Sequence, residues 1–388
     1  MRHPDPHIFG MTPDSLREWW TARDLSPGKF RADQVMEWVY AKGVADPALM
    51  SNLSKRDREV LASEMTFLSA DVVRHQIASD DTQKLLVEWT DPSEPGAPAP
   101  ARSMALPIAG APAGDPTRQT ECVMIPTEDR RTVCVSSQIG CPVGCRFCAS
   151  GMGGLDGSLS AGRIVEQVWR MARLPGVGRV SNIVFMGMGE PLANFSNVVR
   201  AVRTLAAPWG MGISARKITI STVGLPQAIE RLAAEMDLPI TLALSLHAPN
   251  DAIRRRLIPW AEFTTIDELL GACAAWFKKT GREITLEYTL LRGENDRPEQ
   301  ARELVQVVRR MHDEAGGRAN VNLIRYNEVG GVPFERPRSE DVVQFQEILR
   351  SGGVNVHIRA SRGRDIAAAC GQLRHETARR GKAPSATG

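Results

Sequence analysis

Apolar residues recur at helical spacing in LREWWTARDL, RADQVMEWVYAKGV and SKRDREVLASEM, with turn signals between them. Residues 1–75 are therefore expected to form a small helical accessory domain. Two strand-like runs follow, VVRHQIA and QKLLVEW. Between residues 90 and 120 the periodicity disappears, and a stretch with seven Pro and seven Ala reads as a disordered loop. From about residue 131 short β-rich runs alternate with helical patterns. The runs are RTVCVSS, SNIVFMGM, KITIST, ITLALSL, ITLEYTL and NVNLIRY, and the helical patterns lie at 160–173, 194–206, 225–236, 265–279, 298–315 and 338–351. Six βα units of this kind predict an α/β fold whose parallel sheet curls into a full or partial (β/α)6, TIM-like barrel. The expected division is a helical domain (1–75), a β lead-in with the loop (76–125), the barrel (126–360), and a C-terminal segment ending in a basic tail (361–388).

Barrels of this type place their chemistry in the loops at the carboxyl ends of the strands. The unusual residues fall there. Cys141, Cys145 and Cys148 follow the first barrel strand, Gly189 and Glu190 the second, and Ser221 ends the third. Ser245, Leu246 and His247 end the fourth, Glu287 and Tyr288 lie in the fifth, and Asn327 ends the sixth.

Composition narrows the function classes. With 388 residues, 43% hydrophobic and 24% charged, the chain has room for one large domain and a smaller one. No run of 18 apolar residues occurs and the start has no apolar h-region, so neither a membrane span nor a secretory signal is expected, and a cytoplasmic location is. The 48 Lys and Arg against 45 Asp and Glu exclude a strongly basic nucleic-acid-binding arm, and the helical domain is balanced at ten against eleven. Residues 353–388 differ, with seven basic residues against two acidic. Seven cysteines, three of them crowded together, do not suggest a disulfide framework.

In IGCPVGCRFCAS the thiols stand at C-x3-C-x2-C beside Pro142 and two glycines. Three thiolates so spaced can hold three corners of an iron–sulfur cube and leave the fourth iron open. A structural zinc site is the competing reading. It needs four ligands, and the chain has no second CxxC or HxxxH pair, although His247 would be available from a distance. Inert buried thiols give no reason for clustering.

CPVGCRFC after the first barrel strand resembles the signature of radical S-adenosylmethionine (SAM) enzymes. MGMGEPLANF, ISTVGLP, SLHAPND and RGRDIAAACGQL narrow the likeness, and together resemble the RlmN/Cfr group, methyltransferases that modify an adenine carbon in RNA. The resemblance runs from about Glu121 to Leu373. It implies a 4Fe-4S cluster on Cys141, Cys145 and Cys148, whose open iron takes the amino and carboxylate groups of SAM. It implies further SAM contacts from Gly189, Glu190, Ser221, Ser245, Leu246, His247 and Asn327. These residue types suit SAM chemically, with a carboxylate for the ammonium, a glycine for close approach, and polar groups for ribose and adenine edges. IRYN departs from the group's Pro-Trp-Asn; Asn327 is kept, while Arg325 and Tyr326 alter its surroundings.

The resemblance also implies a two-step mechanism that consumes two SAM molecules. Cys370 accepts a methyl group from the first, as a nucleophilic thiolate. A 5'-deoxyadenosyl radical from the second takes a hydrogen from that S-methyl group, and the carbon radical adds to adenine. Glu121 then accepts the ring proton, and Cys134 releases the product by forming a transient disulfide with Cys370. Each residue alone has a plainer reading: Cys134 as strand packing, Cys370 as a buried cysteine closing a short helix, Glu121 as a solvated carboxylate after the loop. Cys122 and Cys273 match no motif and are expected to be packing or surface thiols.

The substrate so implied is C2 of an adenosine in 23S rRNA and of the adenosine beside the anticodon in certain tRNAs, with a flavodoxin-type electron donor; the sequence is silent on oligomeric state, and a monomer is the default expectation. Methylation at C8 by a relative with the same cysteines is the second reading, and a zinc-stabilised RNA-binding protein the third. An adenine must be unstacked to reach a barrel mouth, which requires phosphate anchors. Arg254, Arg255, Arg256, Arg359, Arg362 and Arg364 are the candidates, and Arg374, Arg379, Arg380 and Lys382 divide evenly between that role and a solvated tail.

Overall fold

The computed structural model describes residues 2–26, 30–91, 114–314 and 316–373. The N-terminal pattern folds as three helices, α1 (Pro13–Thr21), α2 (Arg31–Met36) and α3 (Lys55–Glu64), with α2 continuing into a π-helical turn over Glu37–Ala41. Polar side chains start two of them: Thr12 and Ser15 cap α1 reciprocally, and the Ser54 hydroxyl accepts from the Asp57 N–H at the head of α3. Their apolar residues, Leu16, Trp19, Val35 and Leu61 among them, join a core continuous with that of the barrel.

The sheet has ten strands. β1 (Ala70–Ile77), β2 (Gln83–Trp89), β3 (Gln119–Pro126) and β4 (Arg131–Cys134) form an antiparallel extension. A separate hairpin, β5 (Gln138–Gly140) and β6 (Leu155–Ser158), springs from the end of β4. From β4 onward the pairing is parallel through β7 (Asn182–Phe185), β8 (Ile218–Thr222), β9 (Thr241–Ser245), β10 (Ile284–Leu290), β11 (Ala319–Arg325) and β12 (Val356–Arg359). Six expected barrel strands are thus joined by a seventh, β12, which is four residues long and carries His357 and Arg359, too short and polar to stand out as an apolar run.

The crossovers are α4 (Ala161–Met171), α5 (Phe195–Ala206), α6 (Pro226–Glu235), α7 (Asp251–Leu257) followed by α8 (Ile266–Thr280), α9 (Pro298–Arg309) and α10 (Ser339–Ser351). Capping signals set their limits: α8 opens on a Thr265–Glu268 capping box and closes on Gly281 at φ +67°. Arg359, at the end of β12, donates to Met186 Sδ (3.1 Å) just beyond β7, so the curled sheet brings its last strand back toward its second parallel one. Among the described residues no strand pairs with the outer edges of β1 and β12, and the barrel stays open.

One expectation needs correction. Residues 116–120 are not loop: Pro116–Arg118 is a 3-10 turn and Gln119 begins β3, whose register against β2 and β4 is continuous. Residues 92–113, the greater part of the expected loop, lie outside the described residues, as do Arg374, Arg379, Arg380 and Lys382. Helix α4 has no solvated face. Every residue of α4 is buried, because the N-terminal helices dock on it: Phe9 packs on Trp169, whose indole N–H donates to the Val39 carbonyl (2.8 Å).

Candidate active site

The cysteine loop is the tip of the β5–β6 hairpin, held at the carboxyl end of β4. Cys141 N–H donates to the Gly154 carbonyl (2.8 Å), Cys148 N–H to the Cys145 carbonyl (3.1 Å) and Arg146 N–H to the Leu257 carbonyl (3.0 Å). Val143, Phe147 and Ala149 seat the loop on an apolar cluster with Ile253, Leu257 and Leu291. The three thiols line a cavity of about 140 Å³, together with Glu190, Ser221, Ser245, His247, Glu287 and Cys370.

Burial pushes all three thiols up, Cys141 to about 12 and Cys145 well above its ordinary value. They have reason to ionise only when a cationic centre receives them. A structural zinc needs four donors about one centre. Three thiols in one cavity wall suit a cluster, which takes each thiolate on a different iron.

The polar residues expected to meet SAM are mostly in this wall. Gly189 sits at φ +100°, and a Cβ there would lie 2.6 Å from Gln138 Cβ, so glycine is required for the strand end to pass so close. Glu190 is 4% exposed, and its two carboxylate oxygens accept the Leu192 N–H (2.9 Å) and the Val223 N–H (2.8 Å). Burial raises its carboxyl above the ordinary value, against those two N–H groups. Ser221 and Ser245 share a hydroxyl contact of 3.2 Å.

His247 is held in the left-handed region (φ +56°) by the bond from its N–H to the Glu287 carbonyl and by Asn295 Nδ2 donating to its own carbonyl. Its Nδ1 accepts the Thr289 N–H (3.0 Å), which leaves the proton on Nε2. Burial, with Arg254 nearby, lowers its pKa to about 3 and keeps the ring neutral. Leu246 is different, since its side chain is fully buried in the main core and it does not line the cavity. Asn327 lies outside this cavity too: Nδ2 donates to the Cys370 carbonyl (3.4 Å), and Oδ1 accepts from Arg336 (3.1 Å), which also holds the Tyr326 carbonyl.

Cys370 belongs to the cavity wall, and the segment bearing it is stitched to the cysteine loop. Ala149 N–H donates to the Gly371 carbonyl (2.8 Å) and the Ser150 hydroxyl to the Leu373 carbonyl (2.7 Å). Desolvation raises the Cys370 thiol, while the Arg359 guanidinium acts to lower it. Cys134, at the end of β4, packs with Val123, Met188, Ala368 and Leu373. Burial and the neighbouring Cys370 push it up to about 12. Glu121 is not solvated as its place in the chain suggested. It is 3% exposed on β3, two residues from Val123, which stands opposite Cys134, so all three side chains face the Cys370 segment. Its Oε1 lies 2.8 Å from Lys84 Nζ. Cys122 and Cys273 are fully buried packing residues.

Arg254 is removed from the phosphate anchors by its position. It is fully buried and donates to the Leu246 carbonyl (3.2 Å) and the Val223 carbonyl (2.5 Å), fixing two strand ends beneath the cavity. Arg359 is in the cavity wall, where its charge acts on Cys370, Glu287 and Cys134. Arg255, Arg256 and Arg362 keep partly exposed side chains, paired at 3.6–3.9 Å with Glu262, Glu294 and Asp80. Sequence reading missed Lys84; the available signal was a lone cation inside the apolar run QKLLVEW.

Comparison with known proteins agrees with this geometry. A family model described as "Radical SAM superfamily" matches residues 135–306, which places the chain in the class of radical SAM enzymes, whose chemistry rests on a 4Fe-4S cluster and SAM. A second, described as "Ribosomal RNA large subunit methyltransferase N-terminal domain", matches residues 7–67. The chain is 40% identical to a probable dual-specificity RNA methyltransferase RlmN of Rhodopirellula baltica, over 95% of this chain and 90% of that one. It is 39% identical to the ribosomal RNA large subunit methyltransferase N of Nitrosopumilus maritimus, over 95% of this chain and 98% of that one. The crystal structure of a radical SAM methyltransferase from Sphaerobacter thermophilus superposes with a TM-score of 0.83 at 38% identity, covering 95% of this chain and 99% of that one. The chain belongs to the RlmN family of radical SAM RNA methyltransferases.

Proposed function

We propose that this enzyme methylates C2 of an adenosine in 23S rRNA and of the adenosine beside the anticodon in certain tRNAs, consuming two SAM molecules per turnover and drawing electrons from a flavodoxin-type donor as a cytoplasmic monomer. The observation that carries this reading is the position of Cys370: its thiol shares one cavity with the three cluster cysteines and has Cys134 beside it.

Cys141, Cys145 and Cys148 would hold the cluster, which with SAM would supply the radical chemistry that an unreactive ring carbon requires. Glu190 and the Ser221–Ser245 pair offer acceptors for the ammonium and hydroxyls of SAM, and neutral His247 offers a fixed Nε2–H donor. Cys370 takes the methyl group from the first SAM and carries it to the adenine as a thioether. Glu121 accepts the C2 proton, and the Cys134 thiolate bonds to the Cys370 sulfur as the S–CH2 bond breaks; the base leaves with that electron pair and takes up a proton there to complete its methyl group. Arg359, close to both thiols, favours their ionised forms.

The test is mass spectrometry of nucleosides from rRNA and tRNA of a strain lacking the gene, beside the complemented strain. Loss and rescue of 2-methyladenosine in both RNAs is the expected result. Rescue of 8-methyladenosine moves the activity to the other carbon, and rescue in rRNA alone removes tRNA from the substrates.

A further inference from the structure

Lys84 stands in β2, two strands from Cys134, and is 4% exposed. Its ammonium lies 2.8 Å from Glu121 Oε1 and donates to the Ala367 carbonyl at 3.1 Å. A buried ion pair is weak evidence of stabilisation, because desolving two charges offsets most of their attraction and an apolar pair of similar volume packs as well. The position therefore calls for a reason beyond stability, and its two partners supply one. The first is the carboxylate assigned to proton transfer. The second lies three residues before the methyl-carrying Cys370.

The loop between them holds little regular structure. Gly363 and Ala367 are in the left-handed region at φ +64° and +51°, around a single turn at Arg364–Ile366. The β1–β2 hairpin grips this loop from outside: Asp80 Oδ2 accepts the Gly363 N–H (3.1 Å), and Asp365 Oδ2 accepts the Ser79 N–H (2.8 Å). Of these three grips, that of Lys84 also reaches the acceptor carboxylate.

Resting on the reading of Glu121 and Cys370 above, we propose that Lys84 is a positioning residue for the second half of the reaction, its ammonium fixing the acceptor carboxylate and the methyl-carrying loop relative to each other. In the step served, the C2–H bond of the carbon-bridged adenine breaks, its electron pair stays with the ring and the proton passes to a Glu121 oxygen. Lys84 neither touches the base nor exchanges a proton. It supplies the counter-charge of the carboxylate and the hydrogen bond that places Ala367.

The experiment compares Lys84→Met, Lys84→Arg and Glu121→Gln in the reconstituted full-length enzyme with a tRNA substrate. It follows S-methylation of Cys370 by peptide mass spectrometry, the protein–RNA adduct on denaturing gels, and methylated product. A positioning role predicts that Lys84→Met still methylates Cys370, loses roughly tenfold to a hundredfold in product formation, keeps its KM for RNA within about twofold, and accumulates the adduct; Lys84→Arg restores turnover. Should Lys84→Met show no cooperative melting, Lys84→Gln, which keeps an N–H for the Ala367 carbonyl, carries the same expectation of adduct. Normal turnover without adduct in the Lys84 variants, while Glu121→Gln stalls, overturns the proposal and leaves the role of Glu121 standing. Parallel loss of Cys370 methylation also overturns it, by making Lys84 a general structural support. Unimpaired turnover by Glu121→Gln overturns the reading of Glu121 and this proposal with it.

Discussion

Under the mechanism proposed above, Cys134 loses its proton to release the product, and its thiol is pushed up to about 12 by burial and by the Cys370 sulfur beside it. Far below that value the thiolate fraction grows about tenfold per pH unit. Decay of the protein–RNA adduct, timed on denaturing gels, is therefore expected to quicken by about that factor from pH 7 to 8 and again to 9. Cys134→Ala is expected to leave the adduct permanent, and an adduct-free variant that turns over would remove Cys134 from the mechanism. His247 titrates in the opposite sense. The folded ring takes its proton near pH 3 and the unfolded one near 6.5, so the unfolded chain binds more protons between those values. Its contribution is fully present above pH 6.5 and falls by about 1.4 kcal/mol per pH unit below it. Tm measured at pH 7, 6 and 5 should drop more steeply for the natural chain than for His247→Asn, which tolerates the left-handed backbone. At this scale the motifs pointed to Cys370, Cys134 and the cluster cysteines. They did not reveal Lys84, whose partners lie 37 and 283 positions away, nor that Arg254 of the RRR run turns inward, because burial of one arginine in three depends on the strand ends above it.

Helix α4 joins the N-terminal helices to the barrel through charge as well as apolar contact. Glu166 is fully buried, accepts from the Ser69 and Ala70 N–H groups, from His7 Nε2 and from Arg170 Nε (2.9 Å), and is held down at about 2. Arg170 adds a bond to the Ala70 carbonyl (2.6 Å). Glu166→Ala leaves Arg170 buried without its carboxylate and two backbone donors without an acceptor, a loss of about 3–5 kcal/mol. The variant is expected to melt earlier and to be cut by protease ahead of β1 at temperatures where the natural chain resists. Since the Glu166 pair stabilises above pH 4.5 and fades as the pH falls toward 2, its share of acid sensitivity should vanish in the variant. Elements with a strong period were legible: six barrel strands and their crossovers are where the alternation of apolar runs and helical faces placed them. β3 was not, because its first residues continue a Pro- and Ala-rich stretch, and β12 was not, because its apolar alternation rests on Val356 and Ile358 alone within four residues. The heavy burial of α4, with Arg163, Glu166 and Arg170 among its buried residues, depends on the N-terminal helices that cover it and has no local sequence signal.

The whole molecule carries a formal charge of only +3, so any hold on RNA phosphates has to come from local concentration of cations. Curling of the sheet produces one. Between the β3–β4 turn and the segment after β12 lies a second cavity, about 350 Å³, whose walls include Arg130, Arg359 and Arg362 and which reaches Cys370 from the side away from the cysteine loop. Two cavities therefore meet at Cys370 and Arg359, one bounded by the cluster cysteines and the other by exposed basic residues. The methyl-carrying role proposed for Cys370 fits this arrangement, with receipt of the methyl group on one side and delivery to a large substrate on the other. Arg130 comes from a turn more than two hundred residues before Arg362, so their union is a product of topology that a count of basic residues along the tail does not show. Because the Arg130 side chain is exposed, Arg130→Ala should leave Tm nearly unchanged. If its guanidinium meets a phosphate beside the inserted adenine, the variant raises KM for RNA while kcat and Cys370 methylation stay as they were, and the slope of log affinity against log salt falls by about one. An unchanged salt slope with unchanged KM would place the RNA backbone elsewhere on the rim, whereas a fall in kcat with constant KM would mean that Arg130 acts on the chemistry and not on the phosphate.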